Sequence, residues 1–399
     1  MRTILHVTGD FPDAYVARKT PAVRNLLEGT KGFRHIVYSI NRRTGFGGVR
    51  LIDRAGDVVT LTYGAPAFGV LLEFFLDPVV QWIHEDIRAS GTPVDIVHAH
   101  KFTIEGLIAR RLAKALGNTP FICTVRGNTD QKYLRMKPEK RSTYRKLARE
   151  AALLMPVTPW VERYLDRVLG ITDVPRVLLP TISAGSLVMP PQSGNGRFIT
   201  VFHLDSWQLK GMPKLLAALA KLREAGVEIP LDIVGGGSKA SEDALKQRIA
   251  GAGLDGQVHL VGPVPHSEMQ QRMNGYSGFV LPTLRETFGM VFLEALMAGL
   301  PILYPADRGI DGFFDNMDVG VRCDPTSVAD IAQALRALKD GSVRMKTALA
   351  EYQAARDFDR FLGHNVCEHY TTTVTSVLNA QLSQSAPLAA TDTLRGAPS

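Results

Sequence analysis

Hydrophobic positions along this chain of 399 residues form short apolar runs that alternate with longer segments of helical periodicity. This alternation is typical of α/β proteins with parallel sheets. Six runs in each half of the chain predict strands, at residues 3–8, 35–40, 58–63, 95–100, 120–125, 153–158, 198–204, 230–235, 258–262, 278–282, 301–305 and 320–324.

A stretch rich in proline, glycine and serine, residues 180–198, shows no periodicity and indicates a linker. We therefore predict two similar doubly wound α/β domains that face each other across a cleft. Their expected bounds are 1–182 and 198–360, with the linker at 183–197. Residues 380–399 have the composition of a disordered tail.

Ligands of doubly wound sheets bind beyond the carboxyl ends of the strands, so the loops there should converge on the cleft. These loops are 9–21, 100–106, 126–132, 203–211, 235–240 and 282–290. Gly235 and Gly236 fall in a strand-to-helix turn where backbone can approach a phosphate, although turn geometry alone also explains them. Lys210 precedes a predicted helix and is either a charge for a bound pyrophosphate or a solvated lysine.

His98 and His100 end a predicted strand two residues apart. We expect them to point to opposite faces, with His98 packed in the interior and His100 lining the cleft. We find no third ligand at a spacing that argues for a metal. The three cysteines, Cys123, Cys323 and Cys367, form no C-x-x-C pair and predict neither a disulfide framework nor a zinc site.

Composition places the chain among globular proteins, because 45% of its residues are hydrophobic and 21% are charged. No segment approaches the roughly 20 apolar residues of a membrane span, and the apolar run at the start is too short for a signal peptide. We therefore expect a cytoplasmic protein. Residues 63–86 are the most apolar stretch and predict a core-facing amphipathic helix; the alternative is a surface that enters a lipid interface, with Trp82 at the headgroups.

Charge is distributed unevenly over the chain, whose net charge is +7. Residues 1–200 carry 28 basic and 17 acidic residues, a net charge of +11, whereas residues 201–399 carry 18 and 22, a net charge of −4. Residues 101–150 alone hold 13 basic and 4 acidic residues. This favours anionic partners such as the inner face of a membrane or a pyrophosphate-linked acceptor. Nucleic acid is disfavoured because no binding motif accompanies the charge, and a solvated basic face remains an alternative.

The apolar segment 281–305 contains two acids, Glu286 and Glu294, and a buried acid requires a partner. The spacing of apolar residues predicts a helix with Thr287 as its N-cap and Gly299 at its end. Glu286 would then lie just outside the N-terminus and Glu294 two turns on, roughly 10 Å away along the axis. Two carboxylates that accept hydroxyl hydrogen bonds, with a phosphate-attracting helix end between them, predict a site for a nucleotide diphospho-sugar.

The run from Val258 to Leu303, with its E-x(7)-E pattern, resembles the donor-binding region of the family 4 retaining glycosyltransferases, which have the GT-B fold of two Rossmann-like domains. The resemblance implies that Glu286 holds the transferred sugar, Glu294 the ribose and Lys210 the pyrophosphate. Backbone near Val264 would face the base, and residues 361–379 would form a helix that crosses back to the first domain. It also implies retention of configuration without a cofactor or an essential metal. The donor-binding set further includes Thr287, Phe288, Gly289 and Met290.

Three departures from the family pattern bear on the chemistry. An arginine that usually precedes the lysine of the K-G pair is missing, and His203 or Asp205 stands in its place. Arg126 replaces a histidine of the T-x-H-G motif and is a candidate, with His100, for the catalytic side of the cleft. Arg126 is also a third candidate, beside His203 and Asp205, to replace the missing arginine. The first loop lacks paired glycines, so that the candidate acceptor contacts are Gly9, Asp10 and Lys19.

We accordingly expect a retaining enzyme that moves a hexose from a nucleotide diphospho-sugar to a polysaccharide or a lipid-linked saccharide of the cell envelope. The alternatives are a nucleotide-sugar-binding protein without turnover and a transferase that acts on a small soluble acceptor. The missing arginine is what keeps the first alternative open.

Overall fold

The computed structural model describes residues 1–66, 71–182 and 187–385, with side chains described up to residue 381. The first domain contains a seven-stranded sheet in the order β3-β4-β2-β1-β5-β6-β7. Its elements are β1 (Arg2–Thr8), α1 (Ala22–Gly29), β2 (Phe33–Thr44), β3 (Arg50–Ala55), β4 (Val58–Ala65), α2 (Leu72–Ser90), β5 (Ile96–Ala99), α3 (Ile104–Ala115), β6 (Phe121–Val125), α4 (Asn128–Met136), α5 (Arg141–Glu150), β7 (Leu153–Pro156) and α6 (Pro159–Leu169).

The second domain contains a six-stranded sheet in the order β10-β9-β8-β11-β12-β13, all parallel. Its elements are β8 (Phe198–Val201), α7 (Met212–Glu224), β9 (Leu231–Val234), α8 (Lys239–Gly251), β10 (Val258–Gly262), α9 (His266–Asn274), β11 (Gly278–Val280), α10 (Met290–Met297), β12 (Ile302–Pro305), β13 (Gly320–Cys323), α11 (Val328–Ala354) and α12 (Gly363–Ser385).

All twelve predicted strands are confirmed, and so is their arrangement in two α/β domains. One strand was missed, β3, which pairs antiparallel with β4 at the edge of the first sheet. Its six residues are all exposed. A strand with no buried face has no apolar alternation, so the pattern that found the other strands could not find this one.

Helix α2 confirms the core-facing interpretation of residues 63–86 over most of its length. Leu76, Val79 and Ile83 are buried against the first sheet. Trp82 is only half-buried, packs against the same core and contacts Tyr38 edge to face, so it does not reach a headgroup region as the alternative required. Residues 67–70 lie outside the described residues.

The last helix, α12, leaves the second domain and packs on the first. It contacts α1, and the Tyr370 hydroxyl lies 2.8 Å from His98 Nδ1 in the first sheet. A Cβ at Gly29 would lie 2.4 Å from Cys367 Sγ, so the two helices approach as closely as a glycine allows. The helix continues to Ser385, six residues beyond the predicted end at 379, and the rest of the predicted tail lies outside the described residues.

The part of the linker that the structure describes, residues 187–197, has no helix or strand and lies against the second domain. The Met189 amide donates to the carbonyl of Met297 at 2.7 Å. No helix among the described residues is long and apolar enough to cross a membrane. The three cysteines are buried and free.

Candidate functional site

A cavity of about 340 Å³ lies between the two domains, at the carboxyl ends of their strands. Four of the six loops predicted to converge on the cleft line it. The lining residues are Asp10, Thr20, Ala22, Lys101, Arg126, Asn128, Thr129 and Thr181 from the first domain, and Arg285, Glu286, Thr287, Phe288, Gly289 and Met290 from the second. Both domains therefore contribute residues to the cavity, which agrees with ligand binding at the carboxyl ends of the strands in doubly wound sheets.

Glu286 has Lys210 as its partner, with Nζ and Oε2 2.7 Å apart. Glu286 Oε1 also accepts a hydrogen bond from the Thr287 amide at 3.2 Å. The two side chains predicted to hold the sugar and the pyrophosphate thus neutralise each other in the free protein. A diphospho-sugar that uses both groups must exchange this ion pair for its own contacts with each of them.

Glu294 lies on α10 and is buried, with 9% of its surface exposed. The helix begins at Met290 and not after Thr287, because Gly289 adopts a left-handed conformation and is the residue before the first helical turn. A Cβ at Gly289 would lie 2.6 Å from the Phe292 ring. The predicted N-cap at Thr287 is therefore wrong. The predicted axial distance between Glu286 and Glu294 assumed a helix that starts after Thr287, whereas the helix starts at Met290.

Thr287 instead connects the two domains. Its Oγ1 accepts a hydrogen bond from Asn128 Nδ2 of α4 at 2.9 Å, across the cavity. Phe288 directs its ring into the core of the second domain, so only its backbone is available to a ligand. The domains also meet where Trp160 of α6 donates to the carbonyl of Gly309 at 2.9 Å.

Arg126 lies at the end of β6 and lines the cavity. Its Nε donates to the carbonyl of His100 at 3.1 Å, and its amide donates to Asp130 Oδ2 at 3.2 Å. Burial lowers the pKa of Arg126, but an arginine remains charged at neutral pH. The bond to the His100 carbonyl orients the guanidinium and leaves its two terminal nitrogens for other partners.

Lys101 and Glu105 are functional-site residues that sequence reasoning missed. Lys101 Nζ lies 2.6 Å from Asp10 Oδ1 and 3.8 Å from Glu105 Oε1. The Gly9 amide donates to Glu105 Oε1 at 2.7 Å, and burial raises the pKa of Glu105 to about 7. The sequence feature that could have identified Lys101 and Glu105 is their i,i+4 spacing directly after a predicted strand. Asp10 lies in the cavity as expected, while Gly9 fixes the loop through its backbone.

The prediction that His100 lines the cleft is wrong. His98 and His100 are two residues apart and therefore share a face; their ring centroids are 4.0 Å apart and both are fully buried. His6 lies opposite His98 in the register of β1 and β5, with Nδ1 3.0 Å from His100 Nε2. His6 Nε2 lies 2.9 Å from His35 Nδ1. These side chains form a histidine cluster, which consists of the buried His6, His98 and His100 and the half-buried His35.

The third imidazole that the spacing argument did not find is therefore His6, on a neighbouring strand. One nitrogen from each of His6, His98 and His100 lies within 4.8 Å of the others, which is close enough to hold a metal ion. Both nitrogens of His6 are at hydrogen-bond distance from other histidines, and those of His98 from Tyr370 and Thr124. Burial lowers the pKa of all three imidazoles, so they are neutral at neutral pH.

Lys19 is not among the residues that line the cavity, contrary to the expected acceptor contact. Its Nζ lies 2.8 Å from Asp13 Oδ2, which also accepts hydrogen bonds from Ser39 and Asn41. Lys19 therefore forms its ion pair within the loop to which it belongs. Thr20, the next residue, lines the cavity in its place.

The glycine turn after β9 is shaped by packing. A Cβ at Gly235 would lie 1.8 Å from the carbonyl oxygen of Phe202, so no other residue fits. Gly236 and Val264 lie beside this turn and not in the interdomain cavity. Asp205 accepts hydrogen bonds from the Ser238 amide and hydroxyl, which lower its pKa to about 2. Asp205 is an anion whose carboxylate is already hydrogen-bonded within this turn, so it does not replace the missing arginine.

Two family models match adjoining parts of the chain. The model described as "Glycosyl transferase 4-like domain" matches residues 32–181, and the model described as "Glycosyl transferases group 1" matches residues 192–356. Glycogen synthase of Mycobacterium tuberculosis is 30% identical over 174 residues, which are 42% of this chain and 40% of that synthase. The matched region thus spans less than half the length of that relative.

Solved structures resemble the chain over nearly its whole length. Sucrose-phosphate synthase from Thermosynechococcus elongatus superposes with a TM-score of 0.68 at 18% identity, over 95% of this chain and all of that one. HepE from Anabaena in complex with UDP superposes with a TM-score of 0.64 at 16% identity, over 94% of this chain and all of that one. At these identities the likeness shows the fold. With both halves matched by glycosyltransferase models and the fold being that of GT-B enzymes, the chain belongs to the group 1 glycosyltransferases.

Proposed function

We propose that this protein transfers a hexose from a nucleotide diphospho-sugar to a saccharide acceptor, with retention of configuration. The observation that carries the proposal is the Lys210–Glu286 ion pair at the edge of the interdomain cavity. A cation for the diphosphate and a carboxylate for sugar hydroxyls lie side by side there. HepE, a structure of the same fold, contains UDP, which supports a nucleotide donor.

In this proposal Glu286 accepts hydrogen bonds from hydroxyls of the transferred sugar, and Lys210 binds the diphosphate once the ion pair opens. Glu294 binds the ribose hydroxyls. The backbone of Thr287 to Met290 surrounds the donor at the start of α10, whose dipole favours the negative phosphate oxygens. The departing phosphate helps to deprotonate the acceptor, and no essential metal takes part.

A panel of UDP-, GDP- and ADP-sugars tests this function, with release of nucleoside diphosphate as the readout. Release from at least one donor is expected, with water as a slow acceptor or with added oligosaccharide. Tight binding without release would instead support the alternative, a nucleotide-sugar-binding protein. Failure of every nucleotide to bind contradicts both.

Replacing Glu294 by alanine is expected to weaken nucleoside diphosphate binding by about 10- to 150-fold, the range for loss of hydrogen bonds to a charged group. Titration calorimetry with the free nucleotide measures this. Glu268, exposed on α9, provides a matched control, because Glu268→Ala removes the same charge at an exposed position that does not line the interdomain cavity. Equal affinities for the wild type and Glu294→Ala, with both proteins folded, would contradict the ribose assignment.

The surface around the start of α2 suggests how a lipid-linked acceptor could be reached. Phe46, Leu71 and Phe74 are 85%, 72% and 71% exposed and constitute the apolar patch. Two shallow grooves that share Leu72, Tyr133 and Lys137 lie beside it, with Arg42 and Lys132 along one of them. The patch and these cations are the two signals that peripheral membrane binding needs.

The basic segment 101–150 offers less free charge than its composition suggested. Glu150 pairs with Arg110 at 2.5 Å and with Lys114 at 3.7 Å. Glu73 pairs with Arg111 at 3.0 Å and with Lys140 at 2.7 Å. We therefore assign the apolar patch a larger part in membrane binding than the charge count alone would give it.

The protein is expected to sediment with anionic vesicles at low salt, and the double variant Leu71→Ser with Phe74→Ser is expected to remain in solution. Each cation near the surface contributes about 1 kcal/mol, screened over roughly 8 Å at physiological salt, so that salt weakens binding. Val343→Ser removes an equally exposed apolar side chain from α11 and should change nothing. If the wild type stays in solution with anionic vesicles, a small soluble acceptor becomes the better proposal.

A further inference from the structure

Two arginines that line the interdomain cavity form no direct ion pair with a described residue. Among the described residues, the two carboxylates there, Asp10 and Glu286, each have a lysine of their own: Lys101 at 2.6 Å and Lys210 at 2.7 Å. Arg126 and Arg285 also line the cavity. Within the described residues neither guanidinium lies within 4.0 Å of a carboxylate. Asp10, Glu105 and Asp130 stabilise the charge of Arg126 from a greater distance, and Arg285 is exposed to solvent.

Arg126 is held in a fixed position for a ligand. Its Nε is bound to the His100 carbonyl, so the terminal nitrogens form a fork that faces the cavity. A half-buried guanidinium that no carboxylate contacts directly interacts more strongly with a ligand oxyanion than an exposed one would. A fork of two N–H groups matches the two oxygens of a carboxylate or a phosphate. The Thr181 hydroxyl, buried at the same cavity, also lacks a hydrogen-bond partner among the described residues.

The neighbours of Arg126 place it on the first-domain side of the cavity, where its charge acts on Lys101 and Glu105. Asn128, two residues further along, hydrogen-bonds Thr287 across the cavity, which brings this loop next to Glu286. Lys210, the proposed diphosphate ligand, reaches Glu286 from the second domain. Arg126 belongs to the first domain, whose loops hold Asp10 and Thr20 on the acceptor side.

We propose that Arg126, assisted by Arg285, forms an oxyanion subsite that binds a carboxylate or phosphate carried by one of the two reacting sugars. The inference rests on the proposed function and narrows its substrate class to charged saccharides. Two sources of the oxyanion fit: a donor that carries a hexuronic acid, or an acceptor that carries a phosphate or carboxylate. Either would give the Arg126 guanidinium the direct oxyanion contact that the described residues do not provide.

Inorganic phosphate is a probe that does not depend on the identity of the sugar. The full-length protein is first saturated with whichever of UDP, GDP or ADP binds best, so that the diphosphate site is filled. Phosphate-31 NMR line broadening should then show phosphate binding that Arg126→Gln abolishes and Arg126→Lys weakens. Arg336→Gln, which removes an exposed arginine from α11, should leave phosphate binding unchanged.

Matched pairs of ligands then distinguish the two sources. The nucleotide-linked hexose is compared with the corresponding hexuronate, and glucose with glucose 6-phosphate on the nucleotide-saturated protein. In one pair the charged member should bind at least about tenfold tighter, and Arg126→Gln should remove that preference while nucleotide affinity stays within about threefold.

Two results would overturn the subsite. The first is that phosphate binds the wild type and Arg126→Gln equally well. The second is that Arg126→Gln loses as much affinity for the nucleotide as for phosphate, because Arg126 would then bind the diphosphate. If no nucleotide binds the wild type, the proposed function fails, and the same phosphate titration on the free protein still decides the subsite.

Discussion

Replacing Glu286 by glutamine is expected to lower kcat for the intact donor about 100-fold, because in the proposed function the carboxylate contacts the sugar at which positive charge develops in the transition state. Affinity for the free nucleoside diphosphate should stay within about threefold, or rise, because the variant releases Lys210 from its ion pair. Steady-state kinetics with the donor and calorimetry with the free nucleotide measure the two quantities separately.

Glu268→Gln is the matched control for Glu286→Gln, since it makes the same chemical change at an exposed position on α9. It should leave both kcat and nucleotide affinity unchanged. If Glu286→Gln reduces nucleotide affinity as much as it reduces kcat, the ion pair with Lys210 serves to shape the site, and the assignment of Glu286 to the transferred sugar is wrong.

Acidification from pH 7 to pH 5 is expected to lower the free energy of unfolding. His6, His98 and His100 are buried and neutral, and burial lowers the pKa of His98 to about 3. The unfolded chain binds protons at these histidines below about pH 6.5, so stability falls as the pH falls through that value, by about 2 kcal/mol for each at pH 5. Glu105, whose pKa is raised to about 7, acts in the opposite direction and restores about 2 kcal/mol.

Urea denaturation at pH 5, 6 and 7 tests this balance. In His100→Gln the loss of stability between pH 7 and pH 5 should shrink by about 2 kcal/mol, whereas in Glu105→Gln it should grow by about the same amount. His266→Gln, at an exposed position on α9, should behave as the wild type. An unchanged pH dependence in His100→Gln would show that its imidazole is already protonated in the folded state.

Most of the fold could be predicted from the sequence, for a local reason. A buried parallel strand needs a short apolar run, and a covering helix needs apolar residues at helical spacing. Both patterns can be recognised from residues that are close together in the sequence. Strand β3 lacked the pattern because none of its side chains is buried. The start of α10 was misplaced because Thr287 looks like a cap, while the left-handed Gly289 decides where the helix begins.

The candidate donor residues could be predicted in part, because Glu286 and Glu294 occupy one segment whose spacing is itself informative. The residues that surround these two acids could not be predicted from the sequence. Lys210 lies 76 positions before Glu286, and only the fold of the second domain brings the two within 2.7 Å. Asp205 stood where an arginine is usual, and its hydrogen bonds to Ser238 exclude it from that role.

The sequence by itself determined the two α/β domains, the linker composition and the pair of acids around the start of α10, since each depends on neighbouring residues. Tertiary structure alone decided which charges meet: Lys101 with Asp10 across 91 positions, Tyr370 with His98 across 272, and His6 with His100 across 94. Parallel strands place distant residues side by side, and burial then sets their charge states. For that reason the histidine cluster and the position of Arg126 in the interdomain cavity became visible only in the folded chain.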